Sequence, residues 1–283
     1  MNTKRISILG CGWLGSFLAS QLIQKDHFVR GSTTTPENIP LLEEIGVEPY
    51  LLRLGEKLEG DDLHTFLNVD ALVLAYPPPR GADDTLKLMN AQARSLAGHV
   101  NRSTVRQVLM VSSTGVYASR NNEVSEQDSH PPDTPNGRAL RAVELQLTAD
   151  LTPPLTVVRM AGLFGPDRHP GRFLAGRTVS GNGSEPVNMI HQKDAGGILG
   201  HLLELASRPA IYNACTALHP DRKTFYGKAA RLGGWDPPRF SDEVPRAWKR
   251  IRSDLLRSET GYHFVYDNPL DALQECSPGY NPP

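Results

Sequence analysis

The chain has 283 residues, of which 39% are hydrophobic and 22% charged, a composition typical of a globular protein with a sizeable apolar core. A formal net charge of -1 excludes recruitment of nucleic acid or an anionic membrane by charge alone. The cysteines, Cys11, Cys215 and Cys276, are odd in number and follow no metal-ligand spacing. We therefore expect a cytoplasmic protein without a metal site, whose partners include neither nucleic acid nor a membrane.

Strand-like and helix-like segments alternate along the chain. Short apolar runs predict strands, and longer runs with apolar residues at a helical period predict helices. In chain order, strands are predicted at 5–9, 27–32, 47–52, 70–76, 105–113, 155–160 and 211–215, and helices at 13–25, 36–46, 83–99, from about 137, and at 193–206. Strand, helix and strand in this order give parallel strands joined by right-handed crossovers. The sequence therefore predicts an α/β fold with a Rossmann-type, doubly wound parallel sheet.

Three glycines, Gly10, Gly12 and Gly15, form the spacing G-x-G-x-x-G between the first predicted strand and helix. The first glycine permits a tight turn, the second leaves room for a pyrophosphate, and the third lets the helix pack on the strand. The phosphates are expected at the start of that helix, which adds Trp13 and Leu14 to the predicted dinucleotide contacts. The first twenty residues also resemble a signal peptide, but the glycines interrupt its apolar run.

The end of the second predicted strand reads "VRGSTTTPEN" and bears on the choice of dinucleotide. An NAD site usually has an acid here, which binds the ribose 2′-hydroxyl. In its place stand the neutral donors Ser32, Thr33 and Thr34, with Arg30 close by. Nothing there repels a 2′-phosphate, so the sequence favours NADP over NAD. The alternative is that these hydroxyls only turn the chain, which suits Thr35, the predicted cap of the next helix, better than Thr33.

Six segments in chain order resemble the extended short-chain dehydrogenase/reductase superfamily, the NAD(P)-dependent epimerase/dehydratase group. They are "ILGCGWLG", "DALVLAYP", "VSSTGVY", "RMAGLFGP", "NMIHQKDAGGIL" and "IYNAC". The resemblance implies an oxidoreductase or epimerase with NADP or NAD as its cofactor and a small-molecule substrate. We expect a dinucleotide-binding Rossmann core at 1–160, to which a strand and a helix return at about 190–215. A small C-terminal substrate-binding lobe at 161–283 is expected to interleave with this core.

Typical members of this superfamily use a Ser or Thr, a Tyr and a Lys for proton transfer. The Tyr and the Lys stand four residues apart, so both face the cofactor from one side of a helix. When "NGRALRAVE" is registered on that pattern, Asn136 takes the Tyr position and Leu140 takes the Lys position. Neither residue can replace the one that is missing. Ser113 keeps the serine position. Because the Tyr and the Lys are both missing, the chain resembles an atypical member of the superfamily.

Two tyrosines are candidates for the missing acid. Tyr76 begins "YPPPR" just past the fourth predicted strand, where it and Ala75 are expected beside the cofactor, although three prolines rule out a helix there. Tyr117 lies in the loop after the fifth predicted strand. The alternative for each is that the ring packs on the cofactor or the loop. The candidate catalytic residues are therefore Ser113, Tyr76 and Tyr117.

The region "GPDRHPGRFLAGR" is predicted to contact the substrate through Arg168 and Arg172. In the resembled family this region helps to hold nucleotide sugars, and arginine suits phosphate binding. The alternative is a solvated basic loop. Ser113, Thr114 and Asn136 complete the predicted substrate contacts.

Further along the chain, His191 is expected to be structural and Asp194 to be the N-cap of the helix that follows. The helices at 83–101 and 137–150 could form a homodimer interface, by analogy with related folds.

Two functions remain open at this stage. One is an NADP-preferring oxidoreductase or epimerase that acts on an anionic, sugar-nucleotide-like substrate. The other is a protein that binds NADP(H) with little or no turnover and acts as a sensor. Ser113 and the two arginines favour the first, whereas the loss of both Tyr and Lys favours the second.

Overall fold

The computed structural model describes residues 3–76, 85–244 and 246–276. The strands are β1 (Arg5–Leu9), β2 (Phe28–Thr33), β3 (Glu48–Leu54), β4 (Leu58–Gly60), β5 (Ala71–Leu74), β6 (Gln107–Ser113), β7 (Asn122–Val124), β8 (Leu155–Met160), β9 (Gly162–Phe164), β10 (Thr178–Val179), β11 (Met189–His191), β12 (Ala210–Ala214), β13 (Arg239–Phe240) and β14 (Lys249–Ile251). The helices are α1 (Trp13–Ile23), α2 (Ile39–Glu44), α3 (Leu63–Leu67), α4 (Thr85–Val100), α5 (Pro135–Asp150), α6 (Gly171–Leu174), α7 (Gln192–Glu204), α8 (Arg222–Leu232) and α9 (Asp254–Thr260). No helix among these described residues has both the length and the apolar character needed to cross a membrane.

The chain divides into two compact units, and each is assembled from three separate stretches of sequence. The first unit comprises Met1–Val116, Pro131–Arg159 and Gly196–Tyr212, and the second comprises Tyr117–His130, Met160–Ala195 and Asn213–Pro283. The two units therefore alternate along the chain.

The main sheet has eight strands in the spatial order β12-β8-β6-β5-β1-β2-β3-β4. Neighbours from β3 through β2, β1 and β5 to β6 run parallel, and the short edge strand β4 runs antiparallel to β3. The central strand β5 is buried along its whole length, as expected for a parallel strand covered on both faces. This arrangement confirms the predicted α/β fold with a Rossmann-type, doubly wound sheet.

The register brings three strand ends to one edge of the sheet. Leu9 of β1 lies beside Leu74 of β5, and Ile8 lies beside Gly31 of β2. The segments that follow these strands therefore start at the same edge, where ligands of such sheets bind.

Helix α5 begins at a capping threonine followed by a proline. The hydroxyl of Thr134 accepts a hydrogen bond from the Gly137 amide, and Pro135 occupies the first helical position. The buried side of the helix packs against α4 through a 3.6-residue pattern. Its buried apolar residues include Ala139, Leu140, Val143 and Leu147. The homodimer that the sequence predicts through α4 and α5 stays a prediction, and residues 83 and 84 of its first helix lie outside the described residues.

The second unit has an apolar core of its own. Helix α6 packs tightly on α8, since a β-carbon at Gly171 would lie 2.6 Å from the carbonyl oxygen of Ala229. The core of the second unit consists of Phe164, Val187, Met189, Phe225, Ala229, Ala272, Leu273 and Cys276.

The prediction that Asp194 caps a helix is wrong. Helix α7 begins two residues earlier, at Gln192. The buried carboxylate of Asp194 instead accepts hydrogen bonds from the amides of Val265 and Tyr266, at 2.7 and 3.1 Å. Asp194 thus fixes a loop of the second unit rather than a helix end.

Candidate functional site

The turn after β1 gives each of its three glycines a different task. Gly10 has a φ of +103°, and a β-carbon there would lie 3.0 Å from the backbone of Ala75 and Tyr76. A β-carbon at Gly15 would lie 2.3 Å from the carbonyl oxygen of Gly10. At Gly12, by contrast, a β-carbon would meet nothing within 4 Å. The turn is therefore closed on the protein side and open only above Gly12.

Ser32, at the end of β2, holds the turn in place. The Gly10 amide donates to its hydroxyl oxygen at 2.9 Å, and the Cys11 amide donates to its carbonyl oxygen at 2.7 Å. Ser32 itself is only 2% exposed. The strand end and the glycine turn thus form one hydrogen-bonded edge.

A cavity of about 240 Å³, which we call the glycine cavity, opens at this edge within the first unit. It is lined by Leu9, Gly10, Cys11, Gly12, Ser32, Thr33, Thr34, Thr35, Asn38, Leu52, Leu54, Ala75 and Tyr76. Seven of the residues predicted to bind a dinucleotide are in this set: Gly10, Gly12, Ser32, Thr33, Thr34, Ala75 and Tyr76. Trp13, Leu14, Gly15 and Arg30 are not among the lining residues.

The glycine cavity is also lined by Thr35, Asn38, Leu52 and Leu54, which the sequence patterns did not predict to be there. The two leucines lie in the last three residues of β3, the neighbour of β2. Because ligands of such sheets bind at the carboxyl ends of the strands, the end of β3 was a signal that could have found them. Cys11 also lines the cavity, and burial raises the pKa of its thiol to about 12. Its side chain is therefore a protonated, unreactive part of the wall.

Arg30 does not face the glycine cavity as the sequence reading expected. Its Nε donates to Glu48 Oε2 at 3.0 Å, and its Nη1 donates to the carbonyl oxygens of Thr65 and Asn68. The guanidinium is held by β3 and by the end of α3, and this contradicts its predicted role beside a 2′-phosphate.

The hydroxyl groups after β2 play different parts. The Thr33 hydroxyl accepts a hydrogen bond from the Thr35 amide at 3.1 Å, so it turns the chain. Thr35 makes no side-chain capping bond, which reverses the expectation that Thr35 rather than Thr33 has the local role. Thr34 is exposed. Among the described residues that line the glycine cavity there is no carboxylate.

Ser113 and the first turn of α5 lie together in the first unit. The Ser113 hydroxyl accepts a hydrogen bond from the Gly115 amide at 3.0 Å, which leaves its own O–H to donate. A β-carbon at Gly137 would lie 2.4 Å from the Gly115 carbonyl oxygen, so α5 packs directly on this loop. Asn136 is exposed, whereas Leu140 is buried at 8% exposure. Thr114, beside Ser113, is also buried.

A buried ion pair links the elements around Ser113. The Arg159 guanidinium, with no exposed surface, donates to Glu144 Oε2 at 2.6 Å and to Glu144 Oε1 at 3.1 Å. The hydroxyl of Ser112, next to Ser113, donates to the same carboxylate. Glu144 therefore ties β6, α5 and β8 together.

The two candidate tyrosines differ in their surroundings. Tyr76 lines the glycine cavity and is half-buried, and burial raises its pKa. Its phenol therefore keeps its proton, opposite to what an acid–base tyrosine with a pKa near neutrality requires. Tyr117 is buried in the second unit, where its hydroxyl donates to Asn213 Oδ1 at 2.8 Å. This geometry favours packing for Tyr117. Residues 77–80, the rest of the "YPPPR" segment, lie outside the described residues.

The predicted substrate arginines belong to the second unit. Arg168 Nε donates to the Leu163 carbonyl oxygen at 3.0 Å. Arg172 is exposed, and its guanidinium lies 5.8 Å from the centre of the Trp235 ring. Both arginines are therefore oriented by local contacts of the second unit.

His191 is fully buried in the second unit, between the rings of Phe164 and Tyr266. Its pKa falls to about 4, because burial outweighs the opposing effect of Glu275. A neutral, enclosed imidazole of this kind fits the structural role expected from the sequence.

No protein-family model matches the chain. Protein YeeZ of Escherichia coli strain K12 is 35% identical to it over 271 residues, which cover 94% of this chain and 98% of the relative. A conserved protein of unknown function from Silicibacter pomeroyi DSS has a similar structure, with 24% identity, a TM-score of 0.76 and coverage of 96% of this chain and 97% of the other.

The UDP-glucuronic acid 4-epimerase of Bacillus cereus, solved in complex with NAD, is 16% identical, with a TM-score of 0.80 and coverage of 96% and 97%. These likenesses confirm that the chain has the fold of the epimerase/dehydratase group that its motifs resemble.

Proposed function

The chain belongs to the family of the Escherichia coli protein YeeZ, and we propose that it is an NAD(P)-dependent oxidoreductase of the epimerase type. The observation that carries this proposal is the glycine cavity. An open position above Gly12, framed by the closed turn of Gly10 and Gly15, leaves room for a pyrophosphate. The start of α1 adds the positive end of a helix dipole at the same point.

The other lining residues suit the adenosine half of a nicotinamide dinucleotide. Leu52 and Leu54 offer an apolar wall for the base, and Thr34 and Asn38 offer neutral polar groups for the ribose. The nicotinamide, when bound, supplies hydride transfer. NADP is favoured because no described lining residue carries a carboxylate that would repel a 2′-phosphate.

Replacing Gly12 by valine tests the proposal. The new side chain meets no protein atom at its β-carbon, so the fold should be kept while the pyrophosphate position is filled. Titration of NADPH and NADH, followed by nicotinamide fluorescence, should show binding to the wild type and at least about a hundredfold loss in Gly12→Val, equivalent to ~2.7 kcal/mol.

Gly55→Val is the matched control, because a β-carbon at Gly55 would make only an ordinary contact, 3.8 Å from the Lys57 carbonyl oxygen, and Gly55 does not line the glycine cavity. Its affinity should equal that of the wild type. Absence of binding by the wild type, or equal affinities for wild type and Gly12→Val, would refute the proposed function.

The proposed substrate is an anionic, sugar-nucleotide-like molecule. Two features support it: the structurally similar epimerase is named for UDP-glucuronic acid, and Arg172 is exposed in the segment where the motif comparison expects phosphate contacts. Ser113 is proposed to orient the substrate, since its O–H is left to donate.

Turnover of UDP-glucuronic acid with NAD or NADP tests the role of Ser113. Ser113→Ala should lower kcat by about a hundredfold or more, as expected for removal of one donor to a reacting oxygen. Its Kd for the dinucleotide should stay at the wild-type value. An unchanged kcat in Ser113→Ala would contradict the role of Ser113.

A second function, dinucleotide binding with little or no turnover, is favoured by one observation. Position 136 holds an exposed asparagine and position 140 a buried leucine, and neither can transfer a proton. Tight dinucleotide binding together with no consumption of either reduced cofactor across nucleotide sugars would favour this sensor over the enzyme.

A further inference from the structure

A second cavity, which we call the amino-edge cavity, lies in the first unit where β5 and β6 begin. It has a volume of about 270 Å³ and is bounded by α3, the last turn of α4 and the loop before β6. The strands run parallel, so this edge is opposite the one that carries the glycine cavity. Its polar lining residues are His64, Asn68, His99, Arg102, Ser103 and Thr104.

Several hydrogen-bond acceptors around the amino-edge cavity are already in use. The hydroxyl of Ser103 donates to the Val100 carbonyl oxygen at 2.7 Å, at the end of α4. The hydroxyl of Thr104 lies 3.1 Å from Asn68 Oδ1, and the Asn68 carbonyl oxygen accepts from Arg30. The negative ends of the two helices are thus satisfied from within the first unit.

Each of the groups that remain at the amino-edge cavity can donate a hydrogen bond. Within the described parts of the chain, the guanidinium of Arg102, the rings of His64 and His99, and the Asn68 amide nitrogen make no hydrogen bond of their own. Burial and the nearby charge of Arg102 lower the pKa of His99, so its ring is neutral near pH 7 and offers one N–H. The described lining includes no carboxylate. Asp62, the N-cap of α3 and close to His64 in sequence, already accepts hydrogen bonds from the amide and the hydroxyl of Thr65.

We propose that the amino-edge cavity binds the phosphoryl group of a small metabolite, in a site separate from the glycine cavity. The Arg102 guanidinium matches two phosphoryl oxygens in a fork, and the two imidazoles and the Asn68 amide donate to the others. Leu63 and Leu67 line the same cavity and form an apolar wall for the rest of the molecule. The site does not depend on the proposed function of the glycine cavity.

Calorimetric titration of inorganic phosphate into the Gly12→Val protein tests this site, since that background excludes phosphate from the glycine turn. Saturable binding should appear and should weaken at least about tenfold in Arg102→Gln, equivalent to ~1.4 kcal/mol. Arg106→Gln is the matched control, because Arg106 is an exposed arginine of the same loop that does not line the cavity. Its phosphate affinity should equal that of the parent protein.

Three outcomes would overturn the proposal. They are no saturable binding of phosphate below about 10 mM, equal weakening by Arg102→Gln and Arg106→Gln, or binding of succinate but not of phosphate. Titration of NADPH into Arg102→Gln, with Gly12 intact, should give the wild-type Kd. The two sites can therefore fail or succeed separately.

Discussion

Thr33 and Thr34 are neighbours at the end of β2, yet they are available to a ligand to different degrees. The Thr33 hydroxyl is occupied by the Thr35 amide, whereas the side chain of Thr34 is exposed at the wall of the glycine cavity. If the glycine cavity binds a dinucleotide as proposed, Thr34 is therefore the residue at which a change of charge should affect the ribose without disturbing the turn.

We predict that Thr34→Asp reverses the dinucleotide preference. A carboxylate there would repel the 2′-phosphate of NADPH and accept a hydrogen bond from the 2′-hydroxyl of NADH. The ratio of the two Kd values should move by at least about tenfold towards NADH, equivalent to ~1.4 kcal/mol. Thr34→Asn, of nearly the same size but neutral, should leave the ratio close to that of the wild type. Equal weakening of both dinucleotides by Thr34→Asp would place Thr34 away from the 2′ position.

Residues whose role depends on the backbone were predictable from the sequence, and residues whose role depends on a distant side-chain partner were not. Gly10 and Gly15 make the tight turn and the close packing that their spacing implies, because both are properties of the chain itself, and Gly12 faces open space. Arg30 was misjudged because its partners include carbonyl oxygens at the end of α3, a helix that the sequence reading did not detect. Proximity along the strand could not reveal that contact.

At the scale of elements, one buried carboxylate joins two strands and a helix beneath Ser113. Glu144 is 2% exposed and Arg159 has no exposed surface, so each charge relies on the other in place of water. Arg141 also approaches Glu144, at 3.6 Å, but from a more exposed position. The two arginines thus make ion pairs of different kinds with the same acid.

Glu144→Gln should therefore destabilise the fold by about 3 kcal/mol or more, because it leaves the buried guanidinium of Arg159 facing a neutral group. Arg141→Gln removes only the more exposed pair and should cost about 1 kcal/mol or less. Urea unfolding at pH 7 measures both free energies. If the two variants lose the same stability, the buried pair is not what holds these elements together.

Elements with a broad apolar face were predicted, and those with a narrow one were missed. The strands β1, β5 and β6 and the helices α1 and α7 lie close to their predicted positions, since most of their apolar residues are buried. Helix α8 was missed although Asp221 caps it, because its sequence is rich in charge and buries only a thin stripe around Phe225. Such helices owe their stability to partners that are distant in sequence.

At the scale of the whole molecule, the response to acid depends on groups that are buried in their neutral form. The ring of His191 has no exposed surface and lies 3.9 Å from Glu275, which is itself bound to Lys193 at 2.6 Å. Its pKa is about 4 in the folded protein, against an ordinary value of 6.5. At a pH between these two pKa values, His191 is protonated in the unfolded chain and neutral in the folded protein.

Stability should therefore be lost as the pH falls from about 6.5 towards about 4, and His191 alone should account for about 3 kcal/mol of that loss. In His191→Gln the difference in unfolding free energy between pH 7 and pH 4.5 should be smaller than in the wild type. Denaturant unfolding at both pH values checks this. The quantity compared is the change in unfolding free energy between the two pH values, so a difference in absolute stability between the two proteins does not matter. An identical loss in both proteins would show that other groups govern acid unfolding.

The alternation of the two units along the chain has a consequence for biosynthesis. The last stretch of the first unit ends at Tyr212, so a ribosome must pass residue 212 before that unit can close. Two stretches of the second unit emerge during that time, before the remainder of their own core has been translated. Residues that carry the glycine turn are thus synthesised well before the last stretch of their own unit. A nascent chain stalled before residue 212 should expose apolar strand surface and depend on chaperones, however stable the released protein is.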